Sequence, residues 1–513
     1  VGLQLGLLER LWRRLVAAVT QLEVPIRRAP DLLEGVVRGR PYVHNPWRKQ
    51  ALALLSRRAW ALLQAADGRP LGEVLRDLGG EPADWLRELP VLERNGFVVR
   101  PGAVSSPPVA ASGRGEPARR ERVVHLWLHL TNACNLACPY CYIHKDAAHM
   151  GDEVRARTLA AVAATAAAGE VDRIHVRFAG GEPMLRFAQL QEFVRDARAA
   201  CAPHGVEFSA AVLTNGTVVP KGAPAWLREH GLQVSVSIDG VGDTQDVMRP
   251  VVGGGSSWQR LQDGLDAYLA AGLRPYVLVT VGESNIKELP ALTAWLLERK
   301  LAFRYSLVRD LEWGRALLDD RHGADDLQGT EVRSVRVDEG PWLLSGEPLR
   351  RLQSTLARCY DLIEAAVAAG GQPSFRASHK FCDLEPWQPI RQACAAGDTY
   401  LAVGDGGVTS PCQAALHHPG TAPLRPTSLL AQARSQSQFG HFRRTEGNDE
   451  CRRCRHRASC AGGCPLLLHR RDGHVNGRSP YCEVFRAVLP RIVRIAALEL
   501  SLAEARARRQ EAA

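Results

Sequence analysis

The chain lacks any apolar run long enough to cross a bilayer. About 20 consecutive apolar residues are needed, and the longest uninterrupted stretch, Thr158 to Ala168, is short and made largely of small side chains. No membrane partner is expected. No secretory leader is expected in the segment from Val1 to Leu15, because Glu9, Arg10, Arg13 and Arg14 break up the apolar core it would need. That segment reads as an amphipathic helix, and a cytoplasmic location, where cysteines stay reduced, is the expectation. No stretch interleaves aromatic and basic residues as RNA-binding motifs do. The excess of 65 Lys and Arg over 55 Asp and Glu, a net charge of +10, is spread along the chain, so no nucleic acid is expected, and an acidic peptide is an equally good use for it. Thirteen cysteines in 513 residues are too few for a disulfide-stapled miniprotein, and their odd number excludes complete pairing. With 45% hydrophobic and 23% charged residues, the chain is neither disordered nor collagen-like.

What is present is ordered along the chain. Residues 1–100 read as an N-terminal helix followed by a small unit: a strand at Tyr42-Val43, helices over Ser56 to Ala66, Leu71 to Leu78 and Pro82 to Asn95, and a strand over Gly96 to Arg100. That order fits a winged helix or a generic helical cap. Residues 101–122, rich in Gly, Ser, Ala and Pro, read as a linker. From 123 to 310, strand and helix patterns alternate about six times, which predicts an α/β fold with a parallel sheet, open or curled into a partial (β/α)6 barrel, and its chemistry at the carboxyl ends of the strands. A bridging region with one long helix spans 311–381. Residues 382–490 are loop-rich and carry eight of the thirteen cysteines, predicting a domain held by a metal or cluster framework, and a helix closes the chain over 491–513.

Two cysteine clusters carry the chemistry. Cys134, Cys138 and Cys141 form a C-x3-C-x2-C loop after the first barrel strand. A four-iron, four-sulfur cubane needs four ligands, so three thiolates leave one iron open; a zinc site completed by His144 or His149 is the alternative. In the second cluster Cys394, Gly407 and Cys412 precede Cys451-x2-Cys454-x5-Cys460-x3-Cys464, and Cys482 follows. Alone, the middle run would suit a zinc knuckle. Cys201 and Cys359 fall in helices and read as buried thiols.

These residues resemble two known signatures. The first loop, with Tyr140 before its last cysteine, is similar to that of the radical S-adenosylmethionine superfamily, and Gly180-Gly181-Glu182-Pro183 stands where that family has a glycine-glycine-glutamate segment. Thr214-Asn215-Gly216 and Ser237-Ile238-Asp239-Gly240 end the next two strands, and Arg249 lies twelve residues past Ser237, as in sulfatase-maturase-like members. The resemblance implies that the open iron chelates S-adenosylmethionine and that its reductive cleavage yields a 5′-deoxyadenosyl radical. It further implies a cofactor site built from Tyr140, Gly180, Gly181, Glu182, Thr214, Asn215, Ser237, Asp239 and Arg249, with Thr280 and Asn285 near the adenine or ribose. An external one-electron reductant would feed the cluster.

The later cysteines resemble a seven-cysteine SPASM domain, which implies two auxiliary clusters of the four-iron type: one on Cys394, Cys412 and Cys464, the other on Cys451, Cys454, Cys460 and Cys482. Seven thiolates are one short of eight, and Cys382 is the candidate for the last position, against a free thiol or an open iron. Residues 38–100 resemble the leader-binding winged helix of maturases that act on ribosomally made peptides. The expected substrate is therefore a precursor peptide with a leader segment, and the expected reaction a side-chain cross-link. The stretch from Cys464 to Arg494 resembles cyclophane-forming members, which favours a carbon–carbon bond over a thioether. A sulfatase maturase that forms formylglycine is the alternative, and a non-catalytic electron carrier is the reading from a different class.

Overall fold

The computed structural model describes residues 22–100, 122–309, 344–390, 394–416, 421–436, 449–472 and 477–511. The amphipathic helix expected over Val1 to Leu15, nearly all of the linker, and the polar part of the bridging region lie outside the described residues.

Six short strands open the chain: β1 (Pro25–Arg28), β2 (Leu33–Val37), β3 (Arg40–His44), β4 (Leu52–Leu54), β5 (Asp67–Pro70) and β6 (Val98–Val99). They form two antiparallel sheets, β5-β1-β6 and β2-β3-β4. The strands expected at Tyr42-Val43 and near Val98 are present but sit in different sheets, Tyr42 pairing with Leu54 and Val98 with Arg28. Their partners are only three to five residues long, too short to show a period. Helices Arg57–Ala65 and Leu71–Leu78 follow the expected pattern, the first capped by the Ser56 hydroxyl, which accepts from the Ala59 amide at 2.9 Å. The third divides into Pro82–Leu86 and Leu89–Arg94, because Pro90 has no amide to continue the first helix and suits the opening turn of the second. Ile26, Val43, Leu62, Leu63, Val74 and Phe97 give this unit its own core.

The other face of β2-β3-β4 offers Leu33, Tyr42, Leu52 and Leu54 to the main core, against one 30-residue helix, Cys482–Glu511. That helix begins at a cysteine of the second cluster and not at 491. Pro490 lies inside it on an exposed face, where the carbonyl it leaves unpaired can turn to water. Arg494 Nη1 donates to the Val36 carbonyl at 2.8 Å and ties the helix to β2.

The main sheet has ten strands. Six are parallel and consecutive: β7 (Val123–His129), β8 (Arg173–Ala179), β9 (Glu207–Thr214), β10 (Gln233–Ser237), β11 (Tyr276–Val281) and β12 (Phe303–Leu307). At one edge β13 (His379–Phe381) adds in parallel to β12. At the other, β14 (Tyr400–Val403) lies parallel to β7, with β15 (Val408–Ser410) and β16 (Ala422–Pro423) antiparallel beyond it. The six expected strands are thus extended by segments expected in the bridging and iron–sulfur regions.

Side chains alternate along these strands with a period of two. Ile174, Val176 and Phe178 of β8, like Val234 and Val236 of β10, are buried under the surrounding helices. The other face of the same strands carries His125, Trp127, His175, Arg177, Ser235 and Tyr276, which line an open lumen. Most of the apolar core lies outside the sheet, and the inside is hollow, lined by polar side chains together with apolar ones such as Leu213 and Leu278.

Candidate active site at the carboxyl ends of the strands

The loop after β7 carries Cys134, Cys138 and Cys141 and is strapped on both sides by backbone. Gly181 N donates to Thr131 O at 2.6 Å and Glu182 N to Ala133 O at 2.8 Å, while Ala137 N donates to Pro250 O at 2.8 Å and Val252 N to Asn135 O at 3.0 Å. The approach to the glycine segment leaves no room for side chains. A Cβ on Gly180, whose φ is +143°, would meet Thr131 O at 2.4 Å, and one on Gly181 would meet Ala133 O at 2.2 Å.

Glu182 is fully buried at the end of β8. Its carboxylate accepts from Met184 N (3.0 Å), Thr214 Oγ1 (2.8 Å) and Asn215 N (2.7 Å), and burial pushes its pKa up to about 7. It therefore ties β8 to the end of β9. Asn215 Nδ2 reaches Asn135 Oδ1 at 2.8 Å and Cys134 Sγ at 3.8 Å, which fixes the cysteine loop against β9.

A second hub stands at the end of β10. Asp239 Oδ2 accepts from Arg249 Nε at 2.7 Å and from the Tyr140 hydroxyl, and Oδ1 accepts from Thr280 N at 2.7 Å. Asn285 Nδ2 donates to the carbonyls of Asp239 and Thr280, both at 2.8 Å. Arg249 Nη1 lies 3.9 Å from Cys138 Sγ, and its guanidinium sits 5.5 Å from the centre of the Tyr140 ring. Burial alone would lower the arginine's pKa, but the charges of Asp239, Tyr140 and Cys138 outweigh it and hold the guanidinium firmly protonated. Ser237 is half-buried at the same strand end. Residues drawn from four loops in the sequence thus meet around one thiol-bearing segment.

The Asp239–Arg249 pair gives a first prediction. Its side chains are 0% and 10% exposed, and breaking such a pair leaves a buried charge at a cost of about 3–5 kcal/mol. Asp239→Asn should lower unfolding free energy by several kcal/mol in urea titration and weaken retention of S-adenosylmethionine in equilibrium dialysis. An unchanged midpoint would show that the pair does not anchor the site.

The chemistry of the donor set fits an anionic cluster with an amino-acid cofactor. Burial, opposed by Arg249, pushes the Cys138 thiol up to about 12, and burial raises that of Cys134 as well. Such thiols lose their protons only when a metal takes the place of those protons. Lys145, which the spacing of the motif did not single out, supplies a second cation: burial would lower its pKa, yet the charges of Cys141, Cys134 and Cys138 hold it above the ordinary value.

The second cluster divides in space. Cys451, Cys454, Cys460 and Cys482 line one cavity with Phe485 and Arg486. Cys394, Cys412 and Cys464 instead line the barrel lumen. Cys382, just after β13, is on the same wall, where its sulfur accepts from Arg309 Nη2 at 3.0 Å and lies 3.4 Å from Asp383 Oδ1. Arg309 is paired with Asp383 at 2.7 Å, and the charges of Asp383, Cys464, Cys382 and Cys412 raise its pKa well above the ordinary value. Neither Arg309 nor Asp383 was flagged from the sequence. Cys201 and Cys359 are buried in the main core, Cys359 beside the hydroxyls of Thr293 and Tyr305, and no helix among the described residues is long and apolar enough to cross a membrane.

Comparison with known proteins agrees with this geometry. Residues 128–296 match the family model of the radical SAM superfamily. An uncharacterized protein of Archaeoglobus fulgidus is 23% identical over 368 residues, 70% of this chain and 78% of that one. The serine-type anaerobic sulfatase-maturating enzyme of Klebsiella aerogenes is 32% identical over 136 residues, 26% of this chain and 34% of the relative, so the chain matches about a third of that enzyme's length. In fold, the chain is similar to the solved structure of native anSMEcpe with bound AdoMet and Kp18Cys peptide, with a TM-score of 0.58 at 16% identity, over 73% of this chain and 99% of that one. The match to the radical SAM model covers residues 128–296, from the end of β7 past β11, and a domain of that kind implies S-adenosylmethionine and one four-iron, four-sulfur cluster.

Proposed function

We propose that the protein is a radical S-adenosylmethionine maturase that joins side chains within a ribosomally made precursor peptide, with a carbon–carbon link at an aromatic residue as the favoured bond. When bound, the cluster and the cofactor together supply a carbon radical that removes a hydrogen atom from an unactivated C–H bond. Cys134, Cys138 and Cys141 would hold that cluster. Arg249, fixed by Asp239 and Tyr140, and Ser237 would face the cofactor's carboxylate and ribose, and Thr280 and Asn285 would lie toward its adenosine. Cys394, Cys412 and Cys464, with Cys382 beside them, would hold one auxiliary cluster and Cys451, Cys454, Cys460 and Cys482 the other.

The lumen is the observation that carries this reading. Its volume is about 960 Å³, and Cys394, Cys412 and Cys464 form part of its wall. Such a chamber admits peptide side chains, and cross-linking needs an electron acceptor close to the substrate after the bond forms. An N-terminal unit with its own core supports recognition of a leader peptide. Strand β5 lies at a sheet edge with Asp67, Gly68 and Arg69 exposed, an arrangement that lets an extended peptide add as a further strand. An external one-electron reductant completes the cycle.

Formylglycine formation is the second reading, favoured by the match to the Klebsiella enzyme. Co-expression with short reading frames beside the gene, followed by mass spectrometry, separates the two. A peptide lighter by two hydrogens supports the cross-link, and a product captured by a carbonyl-reactive probe supports formylglycine. Removing the leader from the modified peptide should weaken its binding at least tenfold while leaving peptide-independent cofactor cleavage unchanged; equal binding of trimmed and full peptide would argue against the N-terminal unit as the reader.

A further inference from the structure

The lumen is cationic as well as hollow. Arg177, Arg274, Arg304 and Lys380 line it, and among the described lining residues Asp383 is the one carboxylate, already paired with Arg309 at 2.7 Å. Arg177 on β8 and Arg304 on β12 feel each other's charge across the space, and among the described residues neither has an acidic partner. Two further groups are left wanting: Trp127 Nε1 and Arg304 Nε are buried with no hydrogen-bond acceptor. Unpaired buried donors are rare in native proteins and call for a ligand or water. His125 and His175 lie on the same wall, both held down to about 4 by burial and by nearby arginines, and so add donors or acceptors but no charge at neutral pH.

Charge balance for the auxiliary cluster does not account for all of this. Arg309 is the cation placed among Cys382, Cys412 and Cys464. Arg304 also lies near Cys382, but the groups that act on Arg177 are the neutral Tyr400 phenol and Arg304, with no thiol among them.

We propose that the lumen is a carboxylate-binding site, in which an acidic side chain or a free C-terminal carboxylate of the substrate is held between Arg177 and Arg304. A carboxylate accepts several charge-assisted hydrogen bonds from guanidinium groups at once, and it would supply both the missing counter-charge and the missing acceptors. The inference rests on the peptide reading above and names the class of peptide.

The test uses the full chain with its clusters reconstituted, and calorimetric binding of three probes: acetyl-Gly-Phe-Asp amide, acetyl-Gly-Phe-Gly with a free carboxylate, and neutral acetyl-Gly-Phe-Asn amide. At least one acid should bind about tenfold or more tighter than the neutral peptide, and the stronger of the two identifies the source of the carboxylate. Arg177→Gln should erase that advantage while leaving the weak binding of the neutral probe unchanged, and Arg177→Lys should restore part of it. If Arg177→Gln does not fold, Arg304→Gln serves in its place. Equal binding of all three probes, or an acid advantage that survives the glutamine substitution, would overturn the site. Phenylacetate against phenylacetamide makes the test independent of peptides: phenylacetate binding lost in Arg177→Gln, with no tripeptide bound, would keep the carboxylate site and sink the peptide reading.

Discussion

Replacing Cys134, Cys138 and Cys141 together by alanine is expected to abolish 5′-deoxyadenosine formation, to below about a thousandth of the parent rate, while leaving the auxiliary iron in place. The reasoning is spatial. The three thiols lie on one loop after β7, clamped between Gly181–Glu182 and Pro250–Val252, whereas the cysteines of the second cluster line two other cavities. Loss of the first set should not collapse the others. Iron analysis of the reconstituted variant should fall by one cluster's worth and no further. Persistent cofactor cleavage, or loss of all iron at once, would show that the division into separate sites is wrong.

The second large effect is expected from a single methyl group. Gly181→Ala would place a Cβ 2.2 Å from the Ala133 carbonyl oxygen and 2.4 Å from that of Asn132. Both obstacles are backbone, and both belong to the strap that positions Cys134, so the loop must shift. Overpacking of this kind costs about 1–3 kcal/mol. The larger consequence falls on the cluster, because displaced thiols no longer share one centre. Gly181→Ala should lose the iron of the first site and nearly all cofactor cleavage, although a change of one methyl group in a loop would ordinarily be mild. Gly406→Ala is the control: nothing lies within 4 Å of its Cβ position, and iron content and cleavage should be unchanged. A Gly181→Ala protein with full iron would mean that the close approach to Ala133 is dispensable.

The cysteine loop could be read from the sequence because its ligands are local, three thiols within eight residues. Glu182, Asp239 and Asn285 were legible through the resemblance of the segments that carry them to the family's strand-end motifs, and the alternation of strands and helices only indicated that those segments fall in loops. What those residues do to one another was not legible. The bond from Glu182 to Asn215 and that from Asp239 to Thr280 depend on which strands are neighbours, 33 and 41 residues apart in the chain. The pairing of Arg309 with Asp383, 74 residues apart, left no signal in spacing at all. Nor did the docking of β14 beside β7, which brings the second cysteine region into the wall of the barrel.

The hollow lumen was written in the sequence and went unread. In Gln233–Ser237 the polar residues occupy every second position, a pattern that ordinarily marks an antiparallel strand with one face in water. Parallel strands are expected to be apolar on both faces. Here the alternation is real and the water-facing side is the inside. The N-terminal unit was the least legible part, since strands of two to five residues carry too little pattern to reveal which ones pair.

One measurement bears most directly on the proposed chemistry. The reconstituted protein, a reductant and S-adenosylmethionine are incubated with a precursor peptide, encoded beside the gene, that has been deuterated throughout, and the 5′-deoxyadenosine and the peptide are both examined by mass spectrometry. Deuterium should appear in 5′-deoxyadenosine, and the peptide should lose two deuterium atoms and gain one internal link. Deoxyadenosine free of deuterium beside an unaltered peptide would contradict a peptide substrate in the lumen.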